Sequence, residues 1–326
     1  MTSISIFYQS TIIQTTVIMF SILILVGFIL NVLAIGTFIQ KNTRETGCGL
    51  YLLVSSLFGI LTMIILFFQL IILIHIKQND VTCPLIEFLL KWSLTCSEWL
   101  NACVAIERTI ATIRKTKYSR LTSQRRTKFI MISVFISLAC VCSFELIFRR
   151  MITDDQDKKS WCVLTINPDE PVLLTFYSIF NILVFLLPLI INLGSAVIVI
   201  LCTYRLKQKT EQKMNKNLQT TVKRKTRFAI MKKQIILHKH ILIAPILLGL
   251  LGVPRIIFAF AFVCTKLDRR PIVNLIEYFV GFLPSMSILF AFILPSQIYK
   301  AALIIFIKRI MPQFIQTCVV AIRRRN

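Results

Sequence analysis

Apolar residues fall along this chain in long runs separated by short polar stretches. Seven runs stand out, approximately 11–39, 49–76, 84–113, 129–148, 172–204, 235–264 and 272–298. Each reaches about 20 residues, the length that crosses a bilayer as a helix. They are apolar all round rather than on one face, so their expected solvent is lipid and not a protein core. Lipid offers the backbone no hydrogen bonds, so each run must be a helix. The pattern therefore predicts an all-α membrane protein, a single seven-helix domain over 1–326. Only about ten residues precede the first run, too few for a folded outer domain. With no basic segment ahead of it, that run is expected to act as its own insertion signal.

After the seventh run the period changes. Leu303, Ile304, Ile307 and Ile310 recur at helical spacing, with Lys308 and Arg309 beside them. Residues 300–311 read as a short amphipathic helix lying on the membrane surface, ended by Pro312. Cys318 beyond it is a candidate for lipidation.

Composition sharpens the picture. The chain is 56% hydrophobic and only 16% charged, against about 25% charged in soluble domains. Disorder and an ordinary soluble enzyme are excluded. The formal net charge of +24 would suggest nucleic acid in another setting. Here the cations lie between the apolar runs. Stretches 40–48, 114–128, 205–233 and 299–326 hold 26 of the 38 Lys and Arg residues. The opposite loops hold eight, along with Asp154, Asp155, Asp157, Asp169 and Glu170. By the positive-inside rule the N-terminus is outside and the C-terminus in the cytosol. The cationic surface is then expected to face anionic inner-leaflet lipids rather than nucleic acid.

Charges inside the runs are costly and mark candidate function. Glu107-Arg108 stands at the cytosolic end of the third run, where a snorkelling pair is the plain alternative. Cys83 opens the same run, 25 residues earlier, nearly a membrane depth away at a helical rise of about 1.5 Å. Cys162 lies in the outer loop between runs four and five. That compartment permits disulfides, and a Cys83–Cys162 bridge would pin the loop over the bundle mouth. Glu87 and Lys91 are four apart on one face of the third helix and could pair. Glu98 lies deeper, Arg255 follows Pro254 in the sixth run, and Glu277 lies near the outer end of the seventh. These five are ligand-binding candidates, Arg255 for a carboxylate or amide oxygen; internal pairing of Arg255 with Glu277 or Glu98 is the alternative. His75, His238 and His240 form no metal set, and no catalytic motif or cofactor signature appears.

Cys83, Glu107-Arg108-Thr109 and Cys162 match the rhodopsin-like (class A) family of G-protein-coupled receptors in order and spacing. Gly27 to Asn31, Pro188, Pro254 and Leu294-Pro295-Ser296-Gln297-Ile298-Tyr299 add to it, and the chain resembles that family over nearly its whole length. The resemblance implies an extracellular ligand, a heterotrimeric G protein at the cytosolic face and a plasma-membrane location. It assigns Glu107, Arg108, Pro254, Pro295 and Tyr299 to the activation switch, the two prolines as hinges. Departures mark a divergent member. Gly59 stands where the family has a buried Asp, Leu294 replaces an Asn, and Leu250-Leu251-Gly252-Val253-Pro254 lacks the family's aromatic sequence. Leu90 stands where amine receptors carry an Asp. The ligand is therefore expected to be a peptide or a small chemosensory molecule rather than a monoamine. The competing reading is a seven-span ligand-gated chemosensory cation channel with its N-terminus inside.

Overall fold

The computed structural model describes residues 2–44, 47–75, 80–114, 120–153, 160–165, 171–214, 239–264 and 280–323. Among them lie helices α1 (Thr2–Phe38), α2 (Lys41–Arg44), α3 (Gly47–His75), α4 (Thr82–Arg114), α5 (Arg120–Cys142), α6 (Phe144–Phe148), α7 (Pro171–Met214), α8 (Lys239–Cys264), α9 (Val280–Ile293) and α10 (Gln297–Arg323). Four helical segments, Val17–Phe38, Gly47–Ile72, Gln124–Phe148 and Thr175–Cys202, are long and apolar enough to cross a membrane, and α9 with α10 passes together as a broken fifth. Large apolar side chains such as Ile18, Phe68, Ile132 and Leu250 point outward, as expected where lipid is the solvent.

Several boundaries differ from those the apolar runs suggest. Helix α1 reaches back to Thr2, so the expected N-terminal tail is helical. Once a turn exists, each further residue adds a bond cheaply. Helix α7 likewise runs to Met214. The fourth span is two helices, because the chain breaks at Ser143. The seventh ends at Ile293 rather than 298, and α10 leaves it at 104°. Pro295 lies in this break, where it cannot donate a backbone bond. Just before it, Leu289–Ile293 is a π turn in which Leu294 N–H reaches Leu289 O at 3.0 Å. Helix α10 does not stop at Pro312 but continues to Arg323; one missing bond kinks a helix without ending it.

The fold is not purely helical. Strands β1 (Arg149–Thr153) and β2 (Ser160–Leu164) form an antiparallel hairpin between the fourth and fifth spans, with Met151 opposite Cys162.

The core sits where α1, α3, α4, α8 and α9 meet. Phe38, Leu52, Leu100, Val104 and Ile293 pack there at essentially zero exposure. Small polar residues bring α3 and α4 close. Ser55 and Ser97 hydroxyls bond at 2.8 Å, and Thr62 and Ser93 at 2.9 Å. In lipid such contacts replace the hydrophobic force between helices. Proline at 188 deprives the Val184 carbonyl of its helical partner; the Trp99 indole N–H of α4 donates to it at 3.1 Å.

Gly36 and Gly59 are among the glycines that serve as packing notches. A Cβ on Gly36 would meet the Phe306 ring of α10, and one on Gly59 would meet the Asn31 side chain. The space that a buried Asp would need at position 59 is thus filled by Asn31, whose amide N–H donates to Gly27 O at 2.9 Å.

Candidate functional site

Helix α4 connects the two candidate regions. Its first turn carries Cys83, which is disulfide-bonded to Cys162 of β2 with Cα atoms 5.8 Å apart. The hairpin is therefore tied to the start of α4. Its far end carries Glu107 and Arg108.

Near the hairpin, four charged side chains and a tyrosine converge from four elements. Glu145, on the one-turn helix α6, is 1% exposed. Its Oε1 accepts from Lys91 Nζ and from the Tyr177 hydroxyl of α7. Its Oε2 accepts from Arg149 Nε of β1 at 2.5 Å. Arg149 also reaches Glu87 at 3.5 Å and donates to the Cys162 carbonyl at 3.5 Å. Gln69 of α3 donates to Glu87 at 3.2 Å. Lys91 Nζ lies 5.0 Å from the Tyr177 ring centroid and 3.3 Å from its hydroxyl. A buried carboxylate is costly alone; here two cations and a phenol donate to its oxygens.

Two of the three ligand candidates expected on α4, Glu87 and Lys91, lie in this cluster, with a change of partner. Lys91 reaches Glu145, 54 residues away in sequence, and the ion pair of Glu87 is with Arg149. The partners come from α6 and β1, which follow the fourth span's main helix and pack against α4. Glu145, Arg149 and Tyr177 escaped the sequence reading as site residues. The signal available was an acid, Glu145, inside the apolar segment Phe144–Phe148.

Glu98 lines a separate cavity of about 40 Å³ between α4, α7, α8 and α9, with Asn101, Asn192, Pro188, Gly252 and Pro284. That is room for water. Leu90 is buried in the core. The side chains of Arg255, Glu277 and Cys318 lie outside the described residues.

At the other end, the Arg108 guanidinium lies 5.1 Å from the Phe292 ring centroid. It lines a second cavity with Asn192, Ser195, Pro245 and Phe292. The Glu107 carboxylate is buried against Gly47, where a Cβ would collide with it. Tyr299 stands past the bend, edge-on to Phe38 at 5.1 Å. Gln40 Nε2 donates to Ala302 O at 2.7 Å, so α10 is docked on α1. Leu303 is buried against that core, while Ile304, Ile310, Lys308 and Arg309 are exposed. Pro254 lies within α8, which continues through it.

The model of the 7 transmembrane receptor (rhodopsin family) matches residues 30–289, most of the chain. No curated protein matches. Members of that family are receptors rather than enzymes, and the match spans every element from the second half of α1 to the π turn. The chain belongs to the rhodopsin family of seven-transmembrane receptors.

Proposed function

We propose that this receptor binds an extracellular peptide or small chemosensory ligand at the hairpin end and engages a heterotrimeric G protein at the Arg108 end. The observation that carries this reading is the polarity of α4. One helix bears the disulfide-tied hairpin at Cys83 and, 25 residues on, an arginine beside a cavity. The family supplies the role of receptor; the direction comes from the cations. Their concentration in 40–48, 114–128, 205–233 and 299–326 puts those segments in the cytosol and the N-terminus outside. Helices α4 and α8, 33 and 26 residues long, make the remaining two crossings, α4 in spite of the charges it carries. The exposed Lys308 and Arg309 of α10, with the basic loop, meet anionic inner-leaflet lipids at the plasma membrane.

A monoamine does not fit, because Leu90 offers no counter-charge. In the active packing Arg108 leaves Phe292 for the partner protein, with Pro254 and Pro295 as the flexing points. Ligand screening in cells that express several G-protein subtypes identifies the agonist. Arg108→Ala is then expected to abolish signalling while ligand binding stays within about threefold; full signalling by that variant refutes the switch. An epitope at Met1 read on intact cells tests the orientation, and an intracellular epitope favours the channel reading.

A further inference from the structure

Glu145 divides its two carboxylate oxygens between two bodies. Oε2 holds the hairpin through Arg149, and Oε1 holds α4 and α7 through Lys91 and Tyr177. We propose that Glu145 is a positioning residue, the joint through which the place of the extracellular hairpin is passed to the third and fifth spans. The hairpin is held at two points on two strands. Cys162 of β2 is bonded to Cys83, and Arg149 of β1 is bonded to Glu145. The ties meet, because Arg149 Nη1 also donates to the Cys162 carbonyl. The main chain also anchors the ribbon at its base, where Thr165 N–H donates to Phe148 O at 2.8 Å, but with that base and the disulfide alone the ribbon could still pivot without disturbing Lys91 or Tyr177. With Arg149 engaged, any pivot must drag Glu145 or strip it of a cation.

Neither choice is free. Glu145 is 1% exposed and Glu87 is 7% exposed, so a lost partner is not replaced by water. Moving Glu145 instead pulls on Lys91 and Tyr177. Helix α4 carries that displacement toward Arg108, and α7 carries it toward Asn192 and Ser195, which line the Arg108 cavity. The break at Ser143 makes the joint possible, since α6 is a separate turn joined directly to β1 at Arg149. Its role in signalling rests on the receptor reading above; the mechanical coupling does not. Coupling free energy is reciprocal, so a perturbation on either side must be felt on the other.

Amide hydrogen exchange by mass spectrometry on the full chain in lipid nanodiscs, without ligand, tests the coupling. Tyr177→Phe removes one hydroxyl from α7 and keeps the ring, and Lys91→Gln removes one cation from α4. Each is expected to speed exchange of the β1 amides Arg149–Thr153 by about tenfold. Arg149→Gln is expected to speed exchange in the outer turns of α7 by a similar factor, and Arg149→Lys to restore part of the protection. If Tyr177→Phe and Lys91→Gln leave the hairpin unchanged while Arg149→Gln loosens the hairpin alone, the contacts are independent and the joint is refuted. Tyr177→Phe carries the test where a charge removal prevents folding. Failure here would leave the Arg108 signalling test standing, because exchange is read without any G protein.

Discussion

The two ends of α4 handle charge in opposite ways. At the hairpin end, Glu87, Lys91, Glu145 and Arg149 are matched cation to anion, and Tyr177 fills a remaining acceptor position. At the Arg108 end, the guanidinium rests over an aromatic face and beside an open cavity. A cation over a ring is worth about 0.5–2 kcal/mol, whereas breaking a buried ion pair costs about 3–5 kcal/mol. The hairpin end is built to stay assembled, and the Arg108 end is the more loosely held. That contrast is what the proposed function draws on, a fixed surface at one end and an exchangeable group at the other.

The largest expected effect comes from removing the hub of the closed end. Glu145→Ala leaves Lys91 and Arg149 without their shared anion and is expected to cost about 3–5 kcal/mol, read as a fall in the Tm of detergent-solubilised receptor. Arg108→Ala, the matching change at the open end, should lower Tm little, by less than about 1 kcal/mol. Equal losses at both ends would erase the contrast. Between these lies the docking of α10. Gly36→Leu drives a side chain into the Phe306 ring and should cost about 1–3 kcal/mol. It should also raise solvent accessibility of Ala302, measured by labelling an Ala302→Cys variant. A smaller effect than that of Gly36→Leu is expected at the middle of the helix. Trp99→Phe leaves the Val184 carbonyl unsatisfied beside Pro188 and should cost about 1 kcal/mol. A loss as large as that of Glu145→Ala would mean that the hydrogen bond across the proline, rather than the ion cluster, anchors α4 to α7.

Gly59 sharpens the family comparison. The position where relatives bury an acid is a notch occupied by Asn31, so replacing the glycine cannot simply restore the acid. The absence of that polar partner is written in the sequence; the filling of its space appears only in the packing. Cys83 and Arg108 were legible because both sit on one uninterrupted helix, where spacing converts directly to depth. Glu87 and Lys91 were found as candidates, but their partners were not, since those come from α6 and β1 across the bundle. The break at Ser143 has no proline or glycine to announce it. The stop expected at Pro312 and the end of the seventh span expected at 298 fail for a related reason. Local signals weigh one lost bond, while the surrounding packing decides whether the helix bends, ends or continues.

What this chain's sequence determines alone is its solvent. Runs of apolar residues long enough to span lipid leave the backbone no alternative to membrane helices. What only the tertiary structure decides is which charges meet. Ion pairs across helices depend on a carbonyl turned here and a helix broken there, over distances that no local period records, and the burial that makes those pairs strong exists only once the bundle has closed around them.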